Sequence, residues 1–320
     1  LILLSALAFG GWAAYQLYVP VTPPANTTVL LRNGYSSRHI GVELKRAGVI
    51  RSVFAFRLWH WLHQHPTLKA GEYVFERAAT VKMVHERIAR GDIYFHTVTI
   101  PEGYTIFDVA KAMEEAGLGT EQDFIHVVQT HTELISDLDP QAKSLEGYLF
   151  PNTYEFTRTQ TLEEMAAEMV HQFRQVAQQI GLTTEVARTV TLASIVEKET
   201  AVPEERAMVA SVYSNRLARQ VPLQADPTVI YALLLAGTYS GMLHHPDLAV
   251  ASPYNTYRST GLPPGPIANP GRSSLEAAMH PANTQFLYFV ADGNGRHRFA
   301  QSLEEHNRNV TAYRHFLKFR

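Results

Sequence analysis

The chain has 320 residues and a mass of 35.9 kDa, enough for two folded units at roughly 100–200 residues each. Its 46% hydrophobic and 18% charged residues exclude a disordered or collagen-like chain. Lys+Arg 28 against Asp+Glu 30 leaves a net charge of −2, without the basic excess of a nucleic-acid binder, and the absence of cysteine excludes disulfides, thiolate zinc sites and cysteine nucleophiles together.

Leu1 to Val19 (LILLSALAFGGWAAYQLYV) carries no charge, and the first charged residue of the chain is Arg32. Helix at ~1.5 Å per residue makes this segment about 28 Å long, close to the hydrocarbon thickness of a bilayer. Trp12, Tyr15 and Tyr18 gather toward its end as interfacial aromatics do, and Pro20, Pro23 and Pro24 stop it. Residues 1–19 are therefore expected to be a transmembrane anchor, a cleaved signal peptide being the alternative reading. Residues 20–27 (PVTPPANT) form a proline-rich tether.

A weak internal repeat follows. VLLRNGYSSRHIGVELKRAGVI (29–50) matches VTIPEGYTIFDVAKAMEEAGLG (98–119): an apolar strand, a turn, a Ser or Thr cap (Ser36 or Ser37; Thr105), and a helix closed by Ala-Gly at Gly48 and Gly117. Ile40 corresponds to Val109 and Leu44 to Met113 on the apolar faces. Between the copies the pattern predicts a helix over 53–65, a strand over 72–75, and a helix capped by Thr80 with Val84 and Ile88 inward. We read 28–97 as a small strand–helix–helix–strand module resembling the LysM-like fold, and 98–144 as a second strand–helix unit.

From residue 145 the chain reads as a separate domain running to 320. An aromatic-rich extended stretch (EGYLFPNTYEF) precedes helices over 162–180, 185–200 and 203–219, then a loop feeding a short helix. Residues 251–272 are too rich in Pro, Gly, Asn and Ser, and too long, for an idle connection. FLYFVADGNGRHRFA reads as a hairpin turning at Asn294-Gly295, and a polar helix ends the chain. The expected fold class is α+β throughout.

Quick signatures are missing: no G-x-S-x-G elbow, Walker loop, H-E-x-x-H or G-x-G-x-x-G. His60, His63 and His65 lie together without supporting carboxylates, which favours solvated imidazoles beside packed Trp59 and Trp61 over a metal site; no metal and no cofactor is expected. The helix TVTLASIVEKET (189–200) is more telling. Leu192, Ile195 and Val196 form an apolar stripe on which Glu199 falls centrally, while Glu197 points roughly 160° away. A carboxyl continuing an apolar stripe loses hydration, stays protonated nearer neutrality, and suits general acid catalysis. The same pattern also fits a stripe that simply ends at solvent. Tyr148, Phe150, Tyr154 and Phe156 offer faces for sugar rings, and Asn215, Gln224, Asp226 and Asn255 offer paired donors and acceptors, although each type is common in cores and turns.

Seven motifs occur in order: LEGYLFPNTYEF, ASIVEKET, SVYSNRL, PLQADPTVIYAL, SPYNTYRSTGLPPGPIANPG, AAMHPANTQFLYFVADGNGRHRFA and EEHNRNV. Together they closely resemble the YceG-like (MltG) family of endolytic peptidoglycan transglycosylases, densely over 145–310 and more loosely before. Asn152 stands where the family's motif has Asp, and Ala225 where Ser or Thr is frequent. The resemblance implies Glu199 as the catalytic residue, being the second glutamate of E-K-E-T. It implies a substrate groove to which we assign Glu146, Tyr148, Asn215, Gln224, Asp226, Tyr254, Asn255 and Tyr257. It further implies peptidoglycan glycan strands as substrate, peptidoglycan synthases as companions, and a single-pass protein of the bacterial cytoplasmic membrane with its body outside the cytoplasm. Two rivals remain open: a hydrolytic muramidase pairing Glu199 with a second acid such as Glu146 or Asp226, and a glycan-binding scaffold without catalysis.

Overall fold

A computed structural model describes residues 2–63 and 66–318; Leu1, Gln64, Phe319, Arg320 and, from the histidine group, His65 lie outside the described residues. The chain divides into two compact units. The first is Leu1–Val98 with the returns Ala116–Leu118 and Glu155–Thr161; the second is the remainder.

The first unit opens with helix α1 (Ile2–Tyr18), followed by strand β1 (Thr27–Leu31), helices α2 (Ser37–Arg46) and α3 (Val53–Leu62), strand β2 (Gly71–Phe75) and helix α4 (Val81–Arg90). β1 and β2 pair antiparallel with Val29 opposite Tyr73. Their inner faces, the Ile40–Leu44 face of α2, Phe56 and Trp59 of α3, and Val84 and Ile88 of α4 make one apolar core. Helices α2, α3 and α4 begin where the sequence places a hydroxyl: Ser36, Ser52 and Thr80 accept from the backbone N–H groups of His39, Ala55 and Met83. Gly48, just past α2, adopts the left-handed backbone that closes it. Among the described residues no helix is long and apolar enough to cross a membrane, and α1 has 17 residues. The histidines are committed locally: His60 Nδ1 lies 3.0 Å from His85 Nε2, and His63 Nδ1 lies 2.8 Å from the Trp59 carbonyl. Burial pushes His85 down to about 4, so its ring is neutral. Trp59 is buried as expected, but Trp61 faces outward, 61% exposed.

Strand β3 (His96–Ile100) pairs with β4 (Asn152–Phe156), and between them come α5 (Ile106–Glu115), α6 (Glu121–Thr130) and a 3-10 turn (Thr132–Ile135). The second copy of the repeat is thus closed by a strand beyond residue 145, and residues 119–154 belong with the helices that follow. The expected division at 144/145 cuts this element pair: the partner of β3 lies some fifty residues away, where no local pattern announces it. The second unit continues with α7 (Leu162–Gln179), α8 (Val186–Glu199), α9 (Pro203–Ala218), α10 (Asp226–Leu235), a 3-10 turn (His245–Ala249), α11 (Arg272–Met279), the antiparallel hairpin β5 (Tyr288–Ala291) and β6 (His297–Ala300), and α12 (Leu303–Lys318). α8 is the buried centre. Val190, Leu192, Ala193, Ile195 and Val196 are each under 5% exposed, and α9, α10 and α11 pack around them.

Candidate active site

Helix α8 ends at Glu199 because Thr200 takes extended dihedrals, and Pro203 at once starts α9. The two helices therefore meet at a corner, which brings Tyr213 of α9 back onto the last residue of α8. The Tyr213 hydroxyl donates to Glu199 Oε1 at 2.6 Å. The carboxyl opens into a cavity of about 140 Å³ that Tyr213, Arg216, Gln224, Asp226, Tyr257 and Phe289 also line.

Four influences together raise Glu199 to about 7: enclosure, the largest, and the Asp226 carboxylate push it up, while the Tyr213 hydrogen bond and the Arg216 guanidinium pull the other way. Burial, with the Asp226 carboxylate nearby, leaves Glu199 able to give a proton near neutral pH. Asp226 is itself held, since the Tyr257 hydroxyl donates to its Oδ1 at 2.5 Å. Arg216 is 8% exposed; its guanidinium donates to the carbonyls of Leu287 (2.6 Å) and Leu223 (2.8 Å) and stacks 5.1 Å from the Tyr288 ring. It thereby joins α9, the approach to α10 and the hairpin at one point. Gln224, beside it, holds a left-handed φ of 51°, a conformation a side chain tolerates only where surroundings enforce it.

The YceG-like family model matches residues 29–312. This chain belongs to the YceG-like family. It is 33% identical to an endolytic murein transglycosylase of Bacillus subtilis, over 96% of this chain and 91% of that protein. It is 30% identical to an endolytic murein transglycosylase of Streptococcus pneumoniae, over 98% of this chain but 64% of the longer relative. The crystal structure of a yceG-like protein of Listeria monocytogenes superposes with a TM-score of 0.59 at 33% identity, covering 88% of this chain and 97% of that one.

Within this YceG-like chain the geometry gathers Glu199, Gln224, Asp226 and Tyr257 at one cavity. The other expected groove residues do not line this cavity, and the polar side-chain atoms of Glu146, Tyr148, Asn215 and Asn255 are bonded within the fold. Glu146 is buried, accepting from the Ile106 N–H at 2.9 Å and the Asn269 amide at 3.1 Å, and burial pushes it to about 8. Tyr148 is fully buried with its hydroxyl 3.3 Å from Asp139. The Asn215 amide donates to the Thr284 and Phe286 carbonyls, and the Asn255 amide to those of Leu248 and Val250. Tyr254 packs on Tyr231 with ring centroids 5.0 Å apart.

Tyr213, Arg216 and Phe289 escaped the sequence reading. The first two sit three residues apart on α9, a spacing that puts them on one face, and that was the available signal. Phe289 arrives from the hairpin and had none. Glu197 points away from the cavity, as its helix position requires. It pairs with buried Arg206 at 3.0 Å and accepts the Gly271 N–H at 3.0 Å. Among the described residues one group, His131 with the exposed Glu133 and Glu163, brings potential metal-ligating atoms within 4.8 Å; none of the three lines the cavity. A larger hollow of about 680 Å³ beside β2 and α4 lacks an enclosed acid: Glu76 is exposed and Glu86 pairs with Lys82 at 3.9 Å.

Proposed function

We propose that this chain is an endolytic murein transglycosylase that cuts the β-1,4 bond between N-acetylmuramic acid and N-acetylglucosamine inside peptidoglycan strands. The observation that carries the chemistry is Glu199, enclosed, raised to about 7 and bonded to Tyr213. The shared name of its relatives supports the substrate. Protonated Glu199 gives its proton to the glycosidic oxygen, and the bond from that oxygen to the muramyl anomeric carbon breaks. Asp226 faces the positive charge that develops. The Glu199 carboxylate, stabilised by the Tyr213 hydroxyl and by Arg216, then takes the proton of the muramyl 6-hydroxyl as its oxygen closes on the anomeric carbon. A 1,6-anhydro end forms and Glu199 regains its proton, with no water consumed. The nucleophile is intramolecular and already close, which removes the need for a water-activating base.

Asp226 on the same cavity favours a second reading, a hydrolytic muramidase with two carboxylates. Digestion of isolated glycan strands in heavy-oxygen water separates the two. Unlabelled 1,6-anhydro ends on internal fragments are expected; labelled reducing ends as the main product would replace the lytic mechanism with the hydrolytic one.

We also propose that the chain works at the outer face of the cytoplasmic membrane, attached through α1, with the first unit a LysM-like glycan-binding module and peptidoglycan synthases as companions. The support is the uncharged, apolar sequence of α1 and its outward Leu4 and Leu7, 73% and 67% exposed.

A further inference from the structure

α1 does not stand free of the first unit. Arg51, immediately before the Ser52 cap of α3, donates to the carbonyls of Val19 (2.7 Å) and Pro20 (2.8 Å) and lies 5.0 Å over the Tyr15 ring. This clamp fixes the end of α1 to the start of α3. Further out, Phe9 and Trp12 of α1 meet Phe54 of α3, with ring centroids 6.5 and 6.2 Å from it. The outer face of α3 then continues the same surface. Phe54, Arg57, Leu58, Trp61 and Leu62 fall within an arc of roughly 140°, opposite the buried Phe56 and Trp59. Phe54, Trp61 and Leu62 are 53%, 61% and 56% exposed, so three large apolar side chains face outward on ten residues of helix.

We propose that the outer face of α3 is a membrane-interface surface, which lays the first unit on the bilayer with Trp61 and Phe54 at the headgroup level. The occupant is lipid because of what surrounds the adjoining helix. Residues 7–12 of α1 are exposed on every side of the helix, and the helix carries no charge. A protein partner covers one face of a helix, whereas fluid hydrocarbon covers all of them. The α3 face is continuous with that surface through the Phe9–Trp12–Phe54 rings, and its aromatic, leucine and arginine composition is that of a helix lying in the interface plane. The inference rests on the membrane reading of α1 and adds a second contact to it.

The test uses the full chain, whose only tryptophans are Trp12, Trp59 and Trp61 and which lacks cysteine. A Trp12→Phe/Trp59→Phe variant leaves Trp61 as reporter, and Trp59→Phe/Trp61→Phe leaves Trp12. A Leu62→Cys variant carrying an environment-sensitive label, at an exposed site, repeats the measurement in a chain with all three tryptophans. The protein is reconstituted with phosphatidylethanolamine–phosphatidylglycerol vesicles bearing lipids brominated at shallow or deep acyl positions. Trp61 emission should shift to the blue and be quenched more by shallow than by deep bromines, and the Leu62 label should lose its access to aqueous iodide. If Trp12 is quenched while Trp61 and the Leu62 label remain open to iodide, the α3 surface is overturned and attachment through α1 stands. If none of the three senses lipid, both readings fail. Protection of the Leu62 label without vesicles would mean a second copy covers the face, and would also overturn the proposal.

Discussion

Glu199 is balanced between neighbours that act in opposite directions, so single substitutions should move its titration in opposite directions. In the proposed mechanism the reaction begins from the protonated acid, so turnover should fall as pH rises through about 7. Tyr213→Phe removes a bond that favours the carboxylate; the alkaline limb of kcat/KM should move to higher pH. Asp226→Asn removes a negative neighbour; the same limb should move to lower pH. Coincident profiles for the two variants would mean that another group titrates. Glu199→Gln should cost ~10²–10⁴-fold in turnover. Because the folded-state value lies above the ordinary 4.5, the stability Glu199 contributes is present below that pH and lost as pH rises through about 7. The Gln variant should therefore melt above the parent at pH 8 in a thermal scan, although it is inactive. This residue was legible in the sequence because a helix fixes angular relations between near neighbours, and Glu199 is seven positions from Leu192. Tyr213, Arg216 and Phe289 were not, since they reach Glu199 only after α9 and a hairpin eighty or more residues away have folded back.

The corner between α8 and α9 depends on elements that the Glu197–Arg206 pair and Ser194 tie together. Glu197 takes the Gly271 N–H at the start of α11, and the Ser194 hydroxyl accepts the Ile267 N–H at 3.0 Å. Both contacts hold the long Pro-Gly loop before α11 against α8, so that loop is structural over this stretch. Side-chain exposures of 6% and 9% for Glu197 and Arg206 make the pair a buried one. Glu197→Ala leaves the buried Arg206 guanidinium to the more exposed Glu102 at 3.3 Å, so its cost in chemical denaturation should fall below the ~3–5 kcal/mol of a fully uncompensated buried charge. A milder Glu197→Gln variant should keep the pH profile of the parent, which a catalytic role would not allow. Gly147 supports the same region. Its φ is +87°, and a Cβ there would stand 2.5 Å from Pro266 and 2.8 Å from Val190, so a side chain would drive the loop off α8. Helix starts, the hairpin turn and the duplicated strand–helix pattern were readable from caps and periodicity. The pairing of β3 with β4 was not: it joins segments whose own sequences are equally consistent with other partners.

At the scale of the whole molecule, every residue lining the Glu199 cavity belongs to the second unit, while α1 and the α3 face belong to the first. Catalysis and membrane contact are thus assigned to different parts of the chain. The division is not a single cut, because 116–118 and 155–161 cluster with the first unit; there Arg158 bonds the Gly117 carbonyl at 3.0 Å and reaches Glu72 at 3.5 Å. A fragment beginning at residue 95 keeps both strands of the β3–β4 pair and all of the cavity. It deprives Arg158 of Glu72, but the Arg158 side chain is 45% exposed, and an ion pair so open to water contributes ~0–1 kcal/mol. It also deprives His96 of Glu72, a 2.7 Å contact in a more enclosed setting. The fragment should accordingly fold with a lowered melting temperature, keep the alkaline limb near pH 7 on isolated glycan strands, and no longer sediment with vesicles. Circular dichroism melts and release of new glycan ends check the first two outcomes, and flotation the third. An unfolded fragment would show that the first unit belongs to the folding core of the enzyme. A folded fragment that still floats with lipid would place membrane contact in the second unit and remove the physical basis for assigning it to α1 and α3.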